Sequence, residues 1–177
     1  MPRLLLFRRD FIALTVRARA KINIGLKITG QREDSYHTIE TIFQEISLAD
    51  EIFLDRVMRE PNFTCSDPSL PLDETNLCLK AVEALKKEVG PLDNISIHLE
   101  KHIPVGAGLG GGSSDAASVL NILKKKYYLK ISTKKMIDIA SQVGFDVPFC
   151  IDNFKKIINS SNTKFVRPRI NLSFFLL

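Results

Sequence analysis

Five of the nine glycines in this 177-residue chain fall within seven positions, in the run Pro104-Val105-Gly106-Ala107-Gly108-Leu109-Gly110-Gly111-Gly112-Ser113-Ser114-Asp115. Each glycine costs the folding chain ~0.5–1 kcal/mol relative to alanine, so this density suits a backbone that turns tightly or lies against something. The run leaves an alternating stretch, Asn94 to Glu100, that reads as a half-buried strand. It enters a helical pattern from Ser113 to Tyr127, with Ala116, Ala117, Leu120 and Leu123 on one face. Strand, glycine-rich turn and helix start together gather unpaired N–H groups and the positive end of a helix dipole at one spot, which is what a phosphate needs. Pro104, Gly106, Gly108, Gly110, Gly111, Gly112, Ser113 and Ser114 are therefore the candidate phosphate-binding residues. The two serines can cap the helix and also offer hydroxyls to a phosphate or sit near Mg²⁺.

Other glycine-rich loops fit less well. A Walker A loop needs a Lys directly after its last glycine, and none follows Gly112. Gly106, Gly108 and Gly111 satisfy G-x-G-x-x-G, but the strand before them comes late in the chain, and no acidic residue ends a following parallel strand as a dinucleotide fold requires. A merely flexible linker needs neither the strand before nor the helix after.

With 45% hydrophobic and 25% charged residues, the chain reads as one globular domain. Strands are expected at Thr15–Ile24, with Gly25–Gly30 as its continuation or partner, at Tyr36–Ile46, at Glu51–Leu54 and at Phe63–Cys65. A helix over Asn76–Val89 takes its cap from Asp73 or Thr75 and its stop from Gly90-Pro91, and another spans Thr133–Val143 behind Ser132 or Thr133. Strands and helices mix without a regular βαβ repeat, which predicts an α+β fold.

The net charge of +5 is unevenly spread: residues 1–32 carry eight Lys and Arg against one acid, 33–123 six against sixteen, and 124–177 eleven against three. This suits an anionic small ligand or a protein with solvated lysine-rich helices. No basic run is interleaved with aromatics, so no nucleic-acid partner is expected. Cys65, Cys78 and Cys150 are scattered without a C-x-x-C pair, which predicts reduced thiols, with Cys150 buried and inert. His37, His98 and His102 lack any metal-ligand spacing, so no metal site is expected; His98 and His102 read as surface or structural residues. No apolar stretch approaches the ~18 residues of a membrane span, so no membrane partner is expected either. Met1–Thr15 is interrupted by Arg8-Arg9-Asp10 and reads as an extension or first strand, with a targeting peptide as the alternative.

Three further motifs accompany the loop: Ala20-Lys21-Ile22-Asn23-Ile24 with Gly30, Asp34-Ser35-Tyr36-His37, and Gly144-Phe145-Asp146-Val147-Pro148-Phe149. With Pro104–Ala117 they resemble the N-terminal half of the 4-diphosphocytidyl-2-C-methyl-D-erythritol kinases, a family within the GHMP kinases, over about Val16 to Cys150. The resemblance implies an N-terminal domain like domain 2 of ribosomal protein S5. It implies phosphorylation of the 2-hydroxyl of 4-diphosphocytidyl-methylerythritol in the non-mevalonate isoprenoid pathway, with ATP and Mg²⁺. It also implies a bacterial cytoplasm or a plastid-type organelle. By motif position, Lys21 and Asp146 match the catalytic pair, Tyr36 and His37 the residues that hold cytosine, Asn23 a residue beside the substrate, and Gly106–Ser114 the ATP-phosphate loop.

The sequence departs from the family in two places. Ser35 stands where the family has glycine, and the stretch after Asp152 contains no glycine and does not read as the family's next strand. The expected division is an extension at 1–15, the kinase N-terminal domain at 16–150 and a divergent or truncated tail at 151–177, with the C-terminal domain absent. One wall of the acceptor pocket would then be missing, and the surface left open, with Phe174-Phe175-Leu176-Leu177, predicts self-association. A nucleotide-binding fragment without turnover and an S5-like RNA-associated domain stand as alternatives.

Overall fold

Alternating apolar and polar residues in the first third of the chain form two long antiparallel strands. The computed structural model describes residues 14–31, 37–56, 60–151 and 156–159. Strands β1 (Leu14–Gln31) and β2 (His37–Arg56) pair from Leu14 opposite Leu54 to Gln31 opposite His37. The expected break between Ile46 and Glu51 is absent, and Gly25–Gly30 continues the first strand. Three register shifts, at Arg19/Lys21, Ile24/Leu26 and Ile28/Gly30, let the ribbon bend while it stays paired. At the second, Gly25 takes φ +69° and its carbonyl accepts the Thr41 hydroxyl at 2.8 Å.

Strand β4 (Ile95–Glu100) pairs antiparallel with Glu51–Arg56 of β2, and the short β3 (Phe63–Cys65) lies parallel to β4, giving the order β1-β2-β4-β3. Strand β5 (Lys156–Asn159) pairs with Glu40–Phe43 of β2. Those residues pair with β1 along their other edge, so β5 lies on the β4 side. No strand is assigned to the stretch after Asp152 from its sequence: β5 arises from pairing with β2 and has no alternating pattern of its own.

Helix α1 (Leu77–Val89) is capped by Asn76, whose Oδ1 accepts the Cys78 N–H at 2.9 Å. Asp73 and Thr75, the expected caps, instead bond to each other one turn earlier, where the Asp73 carboxylate accepts both the N–H and the hydroxyl of Thr75. Gly90 ends the helix at φ +89°. Helices α2 (Gly111–Lys126), α3 (Thr133–Ser141) and the single-turn α4 (Val147–Cys150) follow. Ser132 caps α3 by accepting the Lys135 N–H, and α3 stops two residues short of Val143.

Cys78, Ala81 and Leu85 of α1, Ala116, Leu120 and Leu123 of α2, and Met136 and Ile139 of α3 share one core with Ile52, Leu54, Ile97 and Leu99 of the sheet. This is the expected α+β arrangement, with helices and sheet contributing to a common interior. Among the described residues no helix is long and apolar enough to cross a membrane.

Candidate functional site

The glycine-rich run bridges β4 and α2, as its flanking patterns predict. Gly106, Gly108 and Gly110 adopt φ of +74°, +74° and +70°, a region that costs an L-residue ~1–2 kcal/mol. Gly111 and Gly112 are the first residues of α2, and Gly110 occupies the cap position. Ser113 and Ser114 are therefore not caps: the helix begins two residues before Ser113, and no side chain caps it. The first backbone bond of the helix runs from Ser114 N–H to Gly110 O at 2.9 Å. The N–H groups of Gly111, Gly112 and Ser113 consequently have no acceptor within the helix.

Close approach explains the glycines at the end of the loop. A Cβ on Gly110 would lie 3.1 Å from both Cγ and Cε of Lys21, and one on Gly111 would lie 3.0 Å from Ile103 Cγ2 and 3.1 Å from Lys101 Nζ. Gly106 and Gly108 would meet nothing within 4 Å, so there the need is for the backbone angle alone.

Lys21 is clipped to this loop by its backbone, donating its N–H to Leu109 O at 2.9 Å. Its ammonium donates to Asn23 Oδ1 at 3.0 Å and sits 4.6 Å from the centre of the Phe43 ring. Phe43 in turn meets Phe149 of α4 at a ring separation of 5.5 Å. Asp146 stands at the N-cap position of α4 yet makes no capping bond with its side chain, which leaves the carboxylate to the pocket.

Two pockets adjoin here. One is walled by Arg19, Phe43, Glu45, Phe149 and Cys150, the other by the loop from Pro104 to Ser113 with Leu70, Leu77 and Lys101. Lys21, Gly110 and Asp146 line both. A cation and a carboxylate thus stand where the glycine-rich loop's pocket meets a second, aromatic-walled pocket.

The structure brings together Lys21, Asn23, Asp146 and the loop residues Pro104 to Ser113. Ser114 is buried behind the loop. Tyr36 lies outside the described residues, as does Ser35, and His37 is described only as the backbone start of β2. Cys150 is half-buried on the pocket wall, which corrects the expectation of a fully buried thiol; its Sγ donates to Asp146 O. His98 pairs with Thr64 Oγ1 at 2.8 Å in the sheet and lies apart from the site.

Sequence reasoning missed the pocket walls Phe43 and Phe149 and a buried charged cluster beneath the loop. In that cluster Asp50, fully buried, accepts the N–H groups of His102 and Ile103 on Oδ1 at 2.6 and 2.8 Å. Its Oδ2 accepts from Lys101 Nζ, which also donates to Asp115 Oδ2 at 2.9 Å. Burial pushes the Asp115 carboxyl up to about 7 against the opposing pull of Lys101. For Lys101, removal from water acts downward, but the two carboxylates outweigh it and the ammonium lies above its ordinary value. Asp115 Oδ1 is buried without a hydrogen-bond partner. The sequence did carry one signal of the cluster: Asp50, Ile52 and Leu54 occupy inward positions of one strand, so an acid stands in a row of core residues.

Residues 76–153 match the N terminal domain of the GHMP kinases. A 4-diphosphocytidyl-2-C-methyl-D-erythritol kinase of Prosthecochloris aestuarii is 44% identical over 141 residues, covering 80% of this chain and 49% of that protein. One of the same description from Clostridium botulinum is 40% identical over 138 residues, covering 78% and 49%. The chain spans about half the length of the curated relatives it matches. Among solved structures, a 4-(cytidine 5'-diphospho)-2C-methyl-D-erythritol kinase superposes with a TM-score of 0.70 at 34% identity, over 86% of this chain and 55% of that one. A mevalonate kinase shares the fold at a TM-score of 0.63 and 17% identity, over 88% and 56%.

Proposed function

On the premise that this chain carries the N-terminal domain of a GHMP kinase, we propose that it binds ATP in the glycine-rich cradle and passes the γ-phosphoryl group to the 2-hydroxyl of 4-diphosphocytidyl-2-C-methyl-D-erythritol. The observation that carries this reading is the sharing of Lys21 and Asp146 between the loop pocket and the aromatic-walled pocket. Phosphoryl transfer asks a protein mainly to align donor and acceptor and to stabilise charge on the group in flight. Unpaired N–H groups at the start of α2 and the helix dipole hold the triphosphate. The acceptor hydroxyl attacks from the second pocket, the new bond forms to the γ-phosphorus, and the bond to the bridging oxygen breaks with its electron pair leaving on ADP. Asp146 orients the hydroxyl and takes its proton, and Lys21 offsets the charge on the transferred group. Phe43 and Phe149 wall the acceptor side and exclude water from the junction.

The motif Asp34-Ser35-Tyr36-His37 supports the choice of a cytidine-bearing acceptor. Tyr36 offers a face for pyrimidine stacking, worth ~1–3 kcal/mol per base, and His37 a donor and an acceptor for the base edge. Asn23, hydrogen-bonded to Lys21, supports a place beside the acceptor. Among the described residues no group of three or more His, Cys, Asp or Glu side chains could hold a metal ion. Ser113, on the wall of the loop pocket, would offer a hydroxyl oxygen to Mg²⁺ arriving with the nucleotide, and the ion would neutralise phosphate charge there.

The test is ADP release by the purified chain with ATP and Mg²⁺, with and without the acceptor, beside Lys21→Ala. Release that requires the acceptor and is lost in the variant is expected. ATP binding without turnover would favour a nucleotide-binding fragment. No ATP binding, together with RNA binding that weakens steeply with salt, would favour the RNA-associated reading.

A further inference from the structure

We propose that Lys101 is a positioning residue for the phosphate cradle, because its ammonium joins both stems of the glycine-rich loop to one buried knot. The first stem is the chain leaving β4: Lys101 N–H is held by Ser66 Oγ at 2.8 Å, and the next two N–H groups are held by Asp50. The second stem is the N-terminal end of α2, whose fifth residue is Asp115. Lys101 Nζ donates to Asp50 on β2 and to Asp115 on α2. The knot lies directly against the helix start, since a side chain on Gly111 would come 3.1 Å from that ammonium. Between the stems runs a glycine-rich loop whose residues are mostly exposed and whose backbone has few intrinsic limits.

A loop of that kind stays in one conformation only if its ends are fixed, because free ends multiply the states available to it. Lys101 fixes them relative to each other, and so sets where the unpaired N–H groups of Gly111 to Ser113 point. An apolar core would hold the elements together at least as well, since burying a charged cluster is costly and replacing one by apolar residues is often neutral or stabilising. What the ion cluster adds is direction: an ammonium with fixed acceptors on two elements defines one relative placement. This assignment rests on the kinase reading only for the identity of the ligand.

The experiment compares the full chain with Lys101→Met and Asp115→Asn by amide hydrogen exchange and by binding of ATP and of adenosine. Four amides report the loop: His102 and Ile103, bonded to Asp50, and Lys21 and Ser114, which close on Leu109 O and Gly110 O. Met136, bonded to Ser132 O in α3, reports the core. Lys101→Met is expected to speed exchange at all four loop amides by ~10-fold or more while Met136 is unchanged, as loss of a charge-assisted bond on one side of the core predicts. Asp115→Asn, which leaves the Lys101–Asp50 bond in place, is expected to speed Lys21 and Ser114 but not His102 and Ile103. It keeps the proposal open to refutation if Lys101→Met does not fold. In both variants the preference for ATP over adenosine is expected to shrink, a ratio that a lower folded fraction does not alter. Unchanged exchange at Lys21 and Ser114, or equal acceleration at Met136, would overturn the proposal. A wild-type chain that binds no ATP but whose loop amides respond as described would overturn the kinase reading and leave the positioning role standing.

Discussion

Replacing Gly110 by alanine separates two demands that the loop places on this residue. The backbone demand is φ +70°, and Gly108 makes the same demand at φ +74°. An alanine in that region costs ~1–2 kcal/mol at either position. At ~2–4 °C per kcal/mol for a chain of this size, each variant should melt about 2–8 °C below the parent. The steric demand is at Gly110 alone: its new methyl would lie 3.1 Å from Cγ and Cε of Lys21, whereas at Gly108 nothing lies within 4 Å. Because those atoms belong to a flexible side chain, the methyl is accommodated by displacing Lys21 a few tenths of an ångström and weakening its bond to Asn23. A 1 Å misplacement can cost ~100-fold in rate, so a displacement of this size should lower kcat by about 10-fold. Gly108→Ala should instead raise the KM for ATP with kcat nearly kept. Thermal unfolding and steady-state kinetics on the two variants decide the matter. Equal kcat in both, or a melting point for Gly110→Ala far below that of Gly108→Ala, would show that Lys21 does not yield as described and refute the reasoning.

Two further expectations follow from the same geometry. Asn76→Ala removes the cap of α1 and the bond to Pro71 O, and should lower stability by about 1–2 kcal/mol in denaturant titrations, whereas Thr75→Ala, which removes an exposed hydroxyl bonded to Asp73, should cost far less. The Asp115 carboxyl is raised from 3.8 to about 7 in the folded chain, so the folded state binds its proton more tightly than the unfolded state does. Its contribution to stability is full below pH 3.8, is lost progressively as the pH rises to about 7, and is flat above that. Denaturant unfolding at several pH values should therefore show the parent losing stability relative to Asp115→Asn between pH 4 and 7, and a difference independent of pH would sink this assignment.

The sequence announced those parts of the molecule whose cause is local. Five glycines between a strand pattern and a helix pattern have a backbone explanation, and the strand, turn and helix lie where that explanation puts them. The cap of α1 was misplaced by a residue or more because Asp73, Thr75 and Asn76 are all good caps, and the choice is made by which of them the following turn can reach. The single turn α4 gives no periodic signal in four residues, so the setting of Asp146 could not be read from pattern. Long-range pairs were the least visible. Nothing near Asp50 in sequence predicts Lys101 and Asp115 as its companions, since 51 residues separate Asp50 from Lys101. The same holds for Phe43 and Phe149, which become a pocket wall only when α4 packs beside the first hairpin.

The bond from Lys21 N–H to Leu109 O joins the first strand to a loop about half the chain away. Contacts of that kind are non-local, and the loop-closure entropy must be met before they reward the chain. The β1–β2 hairpin closes over a few residues at Gln31 and His37, and α1 and α2 can form from their own turns. The junction of the two pockets has no such local origin: it comes into being when hairpin, glycine loop and α4 meet. Partial unfolding that parts the hairpin, the glycine loop and α4 therefore dissolves the junction while each piece keeps its own local hydrogen bonds.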